Sequence, residues 1–357
     1  MSGRTPPHAT AAPMARFGGR LATGLREVSS DPAVLDGTGF WAVAYDFEGR
    51  LTCARFDEVR PAPAPPRTDG WLGPRPGSWH SSLDRAAYTA GVRRIREHIA
   101  AGEVYQANLC RVLSAPLPDP ARTDIDALTG LLAYGNPAPY AGTIRLPDHG
   151  VEIATASPEL YLRRDGRTIS SGPIKGTGRT EHDLLEKDHA ENVMIVDLVR
   201  NDLGRVCETG SVTVPDLCVV EKHPGLVHLV STVAGRLRGG AGWGALFDAT
   251  FPPGSVTGAP KSSALRIIDA LETAPRGPYC GAIGWVDADR GEAELAVGIR
   301  TFWIDRTVAD APALRFGTGA GITWGSDPER EWDETELKAA RLVAIASGDD
   351  QYPRSSN

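Results

Sequence analysis

Apolar and polar positions change period repeatedly along the chain, and the changes mark its elements. Tyr88, Val92, Ile95 and Ile99 recur at helical spacing, which predicts an amphipathic helix over 84–101, capped by Ser82 or Asp84 and closed by Gly102. Residues 40–56 (FWAVAYDFEGRLTCARF) read as two short strands around Glu48-Gly49, and GEVYQANLCRVL as a further strand before a loop and helix reaching about 140. The runs 160–163 and 168–171 flank Asp165-Gly166, a pair suited to a two-residue hairpin turn. Beyond it the pattern predicts a long helix over 181–206, a strand over 226–237 and a helix over 264–272. Strands over 281–286, 293–304 and 313–323 and a last helix from Pro328 to Ser347 complete the set. Strands and helices mix without a regular alternation, so the fold class expected is α+β with large, largely antiparallel sheets.

Composition narrows the picture. In 357 residues, 41% hydrophobic and 23% charged content is ordinary for a soluble globular protein. A net charge of −7 argues against a broad basic surface for nucleic acid. There is no long apolar run and no hydrophobic signal core, so no membrane span is expected and the cytoplasm is the expected location. Five scattered cysteines (53, 110, 207, 218 and 280) form no CxxC pair and suggest reduced thiols without a zinc site. Residues 1–15 read as a disordered lead-in, and 348–357 as a disordered tail. Prolines 61, 63, 65, 66, 74 and 76 mark a linker, so 16–79 is expected to be a small N-terminal piece and 80–347 the main body.

The stretch SPELYLRRDGRTISSGPIKGTGR, from Ser157 to Arg179, carries the sharpest chemistry. A hairpin would bring Glu159 and the Gly172–Thr177 loop to the same end, placing one carboxyl near the amine of Lys175. Burial could retune such a pair into an acid and a nucleophile; the alternative is two surface residues beside a turn. Pro173, Ile174, Gly176 and Gly178 give Lys175 a tight, partly apolar setting, which favours the first reading.

Other constellations admit two readings each. Asp188 and Glu191 lie three residues apart on one predicted helix, and Glu331, Glu334, Thr335 and Lys338 form a stripe on another. Two such faces could share a hard cation such as Mg²⁺, or could simply be solvated. The turn GSVTGAPK leading into a helix could cradle an anion or merely cap it; it is not a Walker A loop, because Pro260 precedes Lys261. Gly317, Gly319 and Gly321 permit close approach of backbone to a carboxylate, or a bulge. Arg300 is a lone arginine in an apolar strand and wants an anion, from a ligand or from the protein. His228 is a lone strand histidine, a type more often structural.

SPEL followed by PIKGTGR resembles the paired signature motifs of the chorismate-utilising enzymes, and the resemblance runs from about residue 80 to 347. It implies two facing antiparallel sheets wrapped by helices, with the active site between them. KDHAENVMIVDLVRNDLGRV resembles the family helix whose Glu binds Mg²⁺, a role that falls on Glu191 with Asp188 close by; SDPEREWDETELKAARL resembles the segment whose second Glu, here Glu331, binds the same metal. GSVTGAPK matches a substrate-contacting motif through Thr257 and Gly258. The GAG at Gly319 and Gly321 matches a carboxylate site, and Arg300 with Lys338 the site for the enolpyruvyl carboxylate. His228 matches a histidine near the substrate.

Three family chemistries compete: amination at C2 with pyruvate loss, hydroxylation at C2, and amination at C4. The second motif resembles the PIKGT form of aminodeoxychorismate synthases, component I, and not the PIAGT form of anthranilate synthases. Water-adding relatives carry a lysine base where this chain has Gln106, which cannot deprotonate water. The expected reaction is therefore formation of 4-amino-4-deoxychorismate, a transaminase-class step towards 4-aminobenzoate and folate, through a covalent Lys175 adduct. Anthranilate synthase component I, or an aminodeoxychorismate-forming enzyme of a specialised pathway, is the alternative; a non-catalytic binding protein is disfavoured by the complete residue set. No Gly-x-Cys-x-Gly loop with a downstream His-x-Glu is visible, so ammonia is expected from a glutamine amidotransferase partner. Trp285 departs from a common family Tyr, and no LLES-like segment for tryptophan regulation precedes residue 80.

Overall fold

The computed structural model describes residues 12–62, 71–178, 180–184, 186–223, 226–307 and 311–348. The first strands are β1 (Met14–Phe17), β2 (Arg20–Ser29), β3 (Phe40–Tyr45), β4 (Leu51–Pro61) and β5 (His80–Ser81), followed by helix α1 (Arg85–Ala100) and β6 (Gln106–Pro116). Helix α2 (Ile125–Gly135) leads to β7 (Tyr140–Leu146), β8 (Val151–Ser157), β9 (Leu160–Asp165), β10 (Thr168–Gly172) and β11 (Ile174–Gly178). Helix α3 (Glu186–Gly204) precedes β12 (Thr213–His223) and β13 (Leu226–Arg236). Helix α4 (Trp243–Thr250), β14 (Gly258–Ala259) and helix α5 (Lys261–Leu271) follow, then β15 (Ala282–Asp287), β16 (Glu292–Val297), β17 (Thr301–Asp305), β18 (Ala313–Ile322) and helix α6 (Pro328–Ala346).

Every described ladder is antiparallel, and together they trace one continuous path. From β12 it runs through β13 to β10 and β11, then β9, β16, β15, β3, β4, β2 and β1. It continues through β7, β8, β17 and β18 to β6, which also carries β5 and β14. The two facing sheets expected are thus the two limbs of a single curled sheet, and the α+β antiparallel class holds.

The main core packs sheet residues such as Trp41, Val43, Leu162, Val233, Ile283 and Leu295 with α3 and α4 residues such as Leu203 and Leu246. One further cluster seats α2 and α6, and another seats α1 and α5. Asp84 caps α1 by accepting from Ala87 N, as its position before the apolar stripe predicted.

The N-terminal segment is not set apart as expected. Met14 to Phe17 pair with β7, β3 pairs along its whole length with β15, and Trp41, Ala42 and Val43 lie in the main core. Chain order misleads because β3, whose other edge pairs with its neighbour β4, completes its hydrogen bonds with β15, more than 200 residues away. Residues 1–11 of the expected lead-in, the middle of the proline stretch (63–70) and 349–357 of the expected tail lie outside the described residues. Trp71, just past that stretch, donates from its indole N–H to Ala346 O at 2.7 Å and so ties the segment to the end of α6. All five cysteines are free thiols. No described helix is long and apolar enough to cross a membrane.

Candidate active site

The curl brings distant parts of the sheet path together. Glu159 and Lys175 come from its β12 end, and Gly319, Gly321 and Gln106 from its β6 end. They meet over the segment 254–258, whose Ser255 carbonyl accepts from Lys175 Nζ at 3.4 Å on one side and from Asn108 Nδ2 at 3.4 Å on the other.

Glu159 follows β8, where the chain turns into the β9–β10 hairpin. Its backbone is held at both ends: the N–H donates to Ser157 Oγ at 3.2 Å, and the carbonyl accepts from Val297 N at 3.0 Å. The side chain is buried, and desolvation pushes its carboxyl up to about 7, against the smaller opposing effects of the Ser255 hydroxyl, the Lys175 charge and the Ile174 N–H. Such a carboxyl holds a proton near neutrality and can give it away.

The predicted hairpin puts Lys175 close by, with one correction. Residues 174–178 are not a free loop but β11, paired with β13 and broken by a register shift between Lys175 and Thr177. Gly176, at φ +75°, makes that bulge, and a Cβ there would lie 2.9 Å from the Asp188 Cβ of α3. The bulge and α3 are therefore locked together, and Asp188 lies beneath the lysine strand.

Gln106 and Asn108 share a face of β6. Gln106 Nε2 donates to Asn108 Oδ1 at 3.3 Å, while its Oε1 is buried without a hydrogen-bond partner. A Cβ on Gly321 would sit 2.5 Å from Gln106 Nε2, and one on Gly319 2.6 Å from Cys110 Sγ, so both glycines are required by close packing. Gly258, at φ +146°, is fitted to β6 so closely that a Cβ would fall 2.2 Å from Gln106 O. Thr257 is fully buried and donates its hydroxyl to Pro253 O at 3.1 Å. Lys261, at the start of α5, is paired with Asp202 at 2.7 Å. His228 is buried on β13, opposite Thr177 in β11 and Glu221 in β12.

Arg300 departs from its expected place within a strand. It sits at the break between β16 and β17, with φ +52°, a conformation costly for a residue with a side chain. Burial lowers its pKa, and no carboxylate among the described residues pairs with it. A desolvated guanidinium of this kind carries a charge that an anion can balance.

The carboxylates of α3 and α6 form the remaining side. Glu191 is raised by burial, opposed by Lys175 and Lys187 and reinforced by Asp188 and Glu334; Glu331 is raised by burial and by Glu334, against the Ser326 hydroxyl bond and Lys187 and Lys338. For Glu334 burial acts upward, but Lys338, Lys187 and Lys175 outweigh it and the net shift is down. Lys338 bonds Glu334 at 2.7 Å and donates to Gly319 O at 3.1 Å. The two helices thus place their carboxylates in one field, yet among the described residues no group of three or more His, Cys, Asp or Glu is gathered to hold a metal.

Ser255 was missed in the sequence, although it lies inside GSVTGAPK. Its carbonyl joins the two ends of the sheet path, and its hydroxyl bonds Glu159. Trp285, singled out above, makes its recorded contacts elsewhere: it stacks on Phe40 with centroids 5.9 Å apart and lies beneath Arg20 at 4.3 Å.

With this geometry in hand, the comparisons identify the class. The profile of the chorismate-binding enzymes matches residues 48–344, and the chain belongs to that family. It is 41% identical over 278 residues to anthranilate synthase component 1 1 of Haloarcula marismortui, covering 74% of this chain and 54% of that protein. It is 42% identical over 280 residues to anthranilate synthase component 1 of Streptomyces coelicolor, covering 75% and 53%. An aminodeoxychorismate synthase of Streptomyces pristinaespiralis is 39% identical over 322 residues, covering 85% of this chain and 42% of that one. The chain thus spans about half the length of these relatives. Among solved structures, anthranilate synthase component I of Streptococcus pneumoniae superposes with TM-score 0.72 at 26% identity, over 86% of this chain and 81% of that one. The menaquinone-specific isochorismate synthase MenF of Escherichia coli shares the fold, with TM-score 0.75 at 18% identity over 94% and 89%.

Proposed function

We propose that the chain converts chorismate and ammonia to 4-amino-4-deoxychorismate. The observation that carries this reading is the meeting of Lys175 with a buried Glu159 that holds its proton near neutrality, both tied to Ser255. The amine of Lys175 forms a bond to ring C2, the double bonds shift, and the C4–oxygen bond breaks as Glu159 gives its proton to the departing hydroxyl, which leaves as water. Ammonia then bonds to C4, the double bonds shift back, and the C2–nitrogen bond breaks to return Lys175; the proton shed by the new amine restores Glu159. Two displacements retain the face of attack. Gln106, with no basic nitrogen, cannot activate water in competition.

Chorismate carries two carboxylates. Arg300, assisted by Lys338, would take the enolpyruvyl carboxylate, while Gly319, Gly321, Thr257 and Gly258 would shape the other walls and His228 would border the site. Glu191 and Glu331, with Asp188 nearby, would fit Mg²⁺ in donor chemistry: hard oxygen ligands, few in number, from two helices, whose burial disfavours bare negative charge that a bound cation would offset. Bound there, Mg²⁺ would neutralise the ring carboxylate. Ammonia would come from a glutamine amidotransferase partner.

A second reading, amination at C2 with loss of pyruvate, is favoured by the names of most relatives, which are anthranilate synthases. Product analysis separates the two. Chorismate with Mg²⁺ and excess ammonium should give 4-amino-4-deoxychorismate by mass spectrometry; anthranilate from the unaltered chain would establish the second reading instead.

A further inference from the structure

Arg111 takes no part in the chemistry above, yet it is among the largest fully buried side chains of the molecule. It lies on β6 in register with Thr318 of β18. Its guanidinium is spent almost entirely on one helix. Nε donates to Thr335 Oγ1 at 3.0 Å, Nη2 donates to the Glu336 carboxylate, and the group lies 4.2 Å over the Trp332 ring. Nη1 reaches Ser81 Oγ at 3.1 Å, fixing the guanidinium from the opposite side. Thr335 is fully buried and gripped a second time, its carbonyl accepting from Thr318 Oγ1 at 3.0 Å.

These contacts fall where α6 matters most. At about 100° of rotation per residue, Glu331, Glu334 and Lys338 share one face of α6, Thr335 marks its border, and Trp332 and Glu336 lie on the adjoining face. Arg111 therefore holds the adjoining face and sets how far the acidic face is turned. A planar fork with several fixed donors can set a rotation; a flexible ammonium on a single bond cannot. The Glu336 side chain is 56% exposed, so the ion pair itself adds little net stability, and what these contacts supply is geometry.

We infer that Arg111, through Thr335 and Glu336, is a positioning residue that fixes the rotation of α6 so that Glu331 meets Glu191 across a shared Mg²⁺. This rests on the metal reading given under Proposed function. The test is calorimetric titration of Mg²⁺ into the purified chain, with chorismate present in ammonium-free buffer, for the unaltered protein and for Arg111→Lys, Glu336→Gln and Thr318→Val. Thermal unfolding of each variant is measured alongside. Removing a group that orients a metal ligand costs about 10-fold or more in metal affinity, and that loss is expected for Arg111→Lys. A smaller loss in the same direction is expected for the other two, with kcat at saturating Mg²⁺ preserved in all three. Glu336→Gln and Thr318→Val carry the test if Arg111→Lys does not fold. Folded variants that bind Mg²⁺ as tightly as the unaltered chain overturn this inference alone. An unaltered chain that binds no Mg²⁺ overturns the metal reading, and this inference with it.

Discussion

The two sides of the site are finished to different degrees. On the Glu159–Lys175 side, hydrogen bonds with Ser157, Val297 and Ser255 and the burial of Glu159 fix the acid, and the Gly176 bulge and the Ser255 carbonyl hold the half-buried amine. On the α3–α6 side, among the described residues, Glu191, Glu331 and Glu334 share a field without forming a closed metal cluster, and no carboxylate pairs with Arg300. The first side consists of strands whose backbone pairing leaves little freedom. The second consists of helix faces and a strand break, where charge is arranged but unbalanced. On the proposed reading, preorganisation falls where bonds would be made, and the unbalanced charge is what substrate carboxylates and a cation would offset.

The largest effect should come from the finished side. Glu159→Gln keeps the shape and removes the proton, so kcat should fall by about 10²–10⁴-fold. In the unaltered chain the acid must be protonated, so the rate should decline as pH rises above about 7 in a pH–rate profile. On the unbalanced side, Arg300→Leu removes a charge-assisted contact and should lower kcat/KM by roughly 10–100-fold, through KM more than kcat.

Stability should shift with opposite signs at Glu159 and at Gly258. Glu159 has its pKa raised from 4.5 to about 7 by folding, so between those values the folded chain binds the extra proton. Stability must therefore fall as pH rises through that window and level off above it. Glu159→Gln escapes this, so denaturant unfolding should show the variant gaining on the unaltered chain from pH 5 to 8, by up to about 3 kcal/mol. Gly258→Ala, whose Cβ would fall 2.2 Å from Gln106 O, should lose about 1–3 kcal/mol in the same assay.

Local pattern made the hairpin legible, because Asp165-Gly166 announces a turn and the turn fixes which residues meet. Helices α1, α3 and α6 were legible from their period and caps. Other elements were hidden for identifiable reasons. Strand β2 carries exposed Arg26 and Glu27 and lacks clean alternation, while β12 includes Pro215 and two register shifts. Helix α4 is only 8 residues long. Arg300 was read inside a strand because its neighbours are apolar, and nothing local signals its positive φ. Ser255 gave no signal of its own, since its role exists only once the two ends of the sheet path meet. Arg111 was likewise one basic residue in an apolar strand until α6 lay beside it.

The central claim is that Lys175 forms the bond to the ring while Glu159 supplies the proton. Intact-protein mass spectrometry after chorismate and Mg²⁺, with no ammonia present, tests it most directly. The account predicts a species heavier by chorismate less one water, mapped to Lys175 by proteolysis and absent from Lys175→Ala. Turnover by a Lys175→Ala chain to 4-amino-4-deoxychorismate at the unaltered rate, with no adduct in either protein, would contradict it.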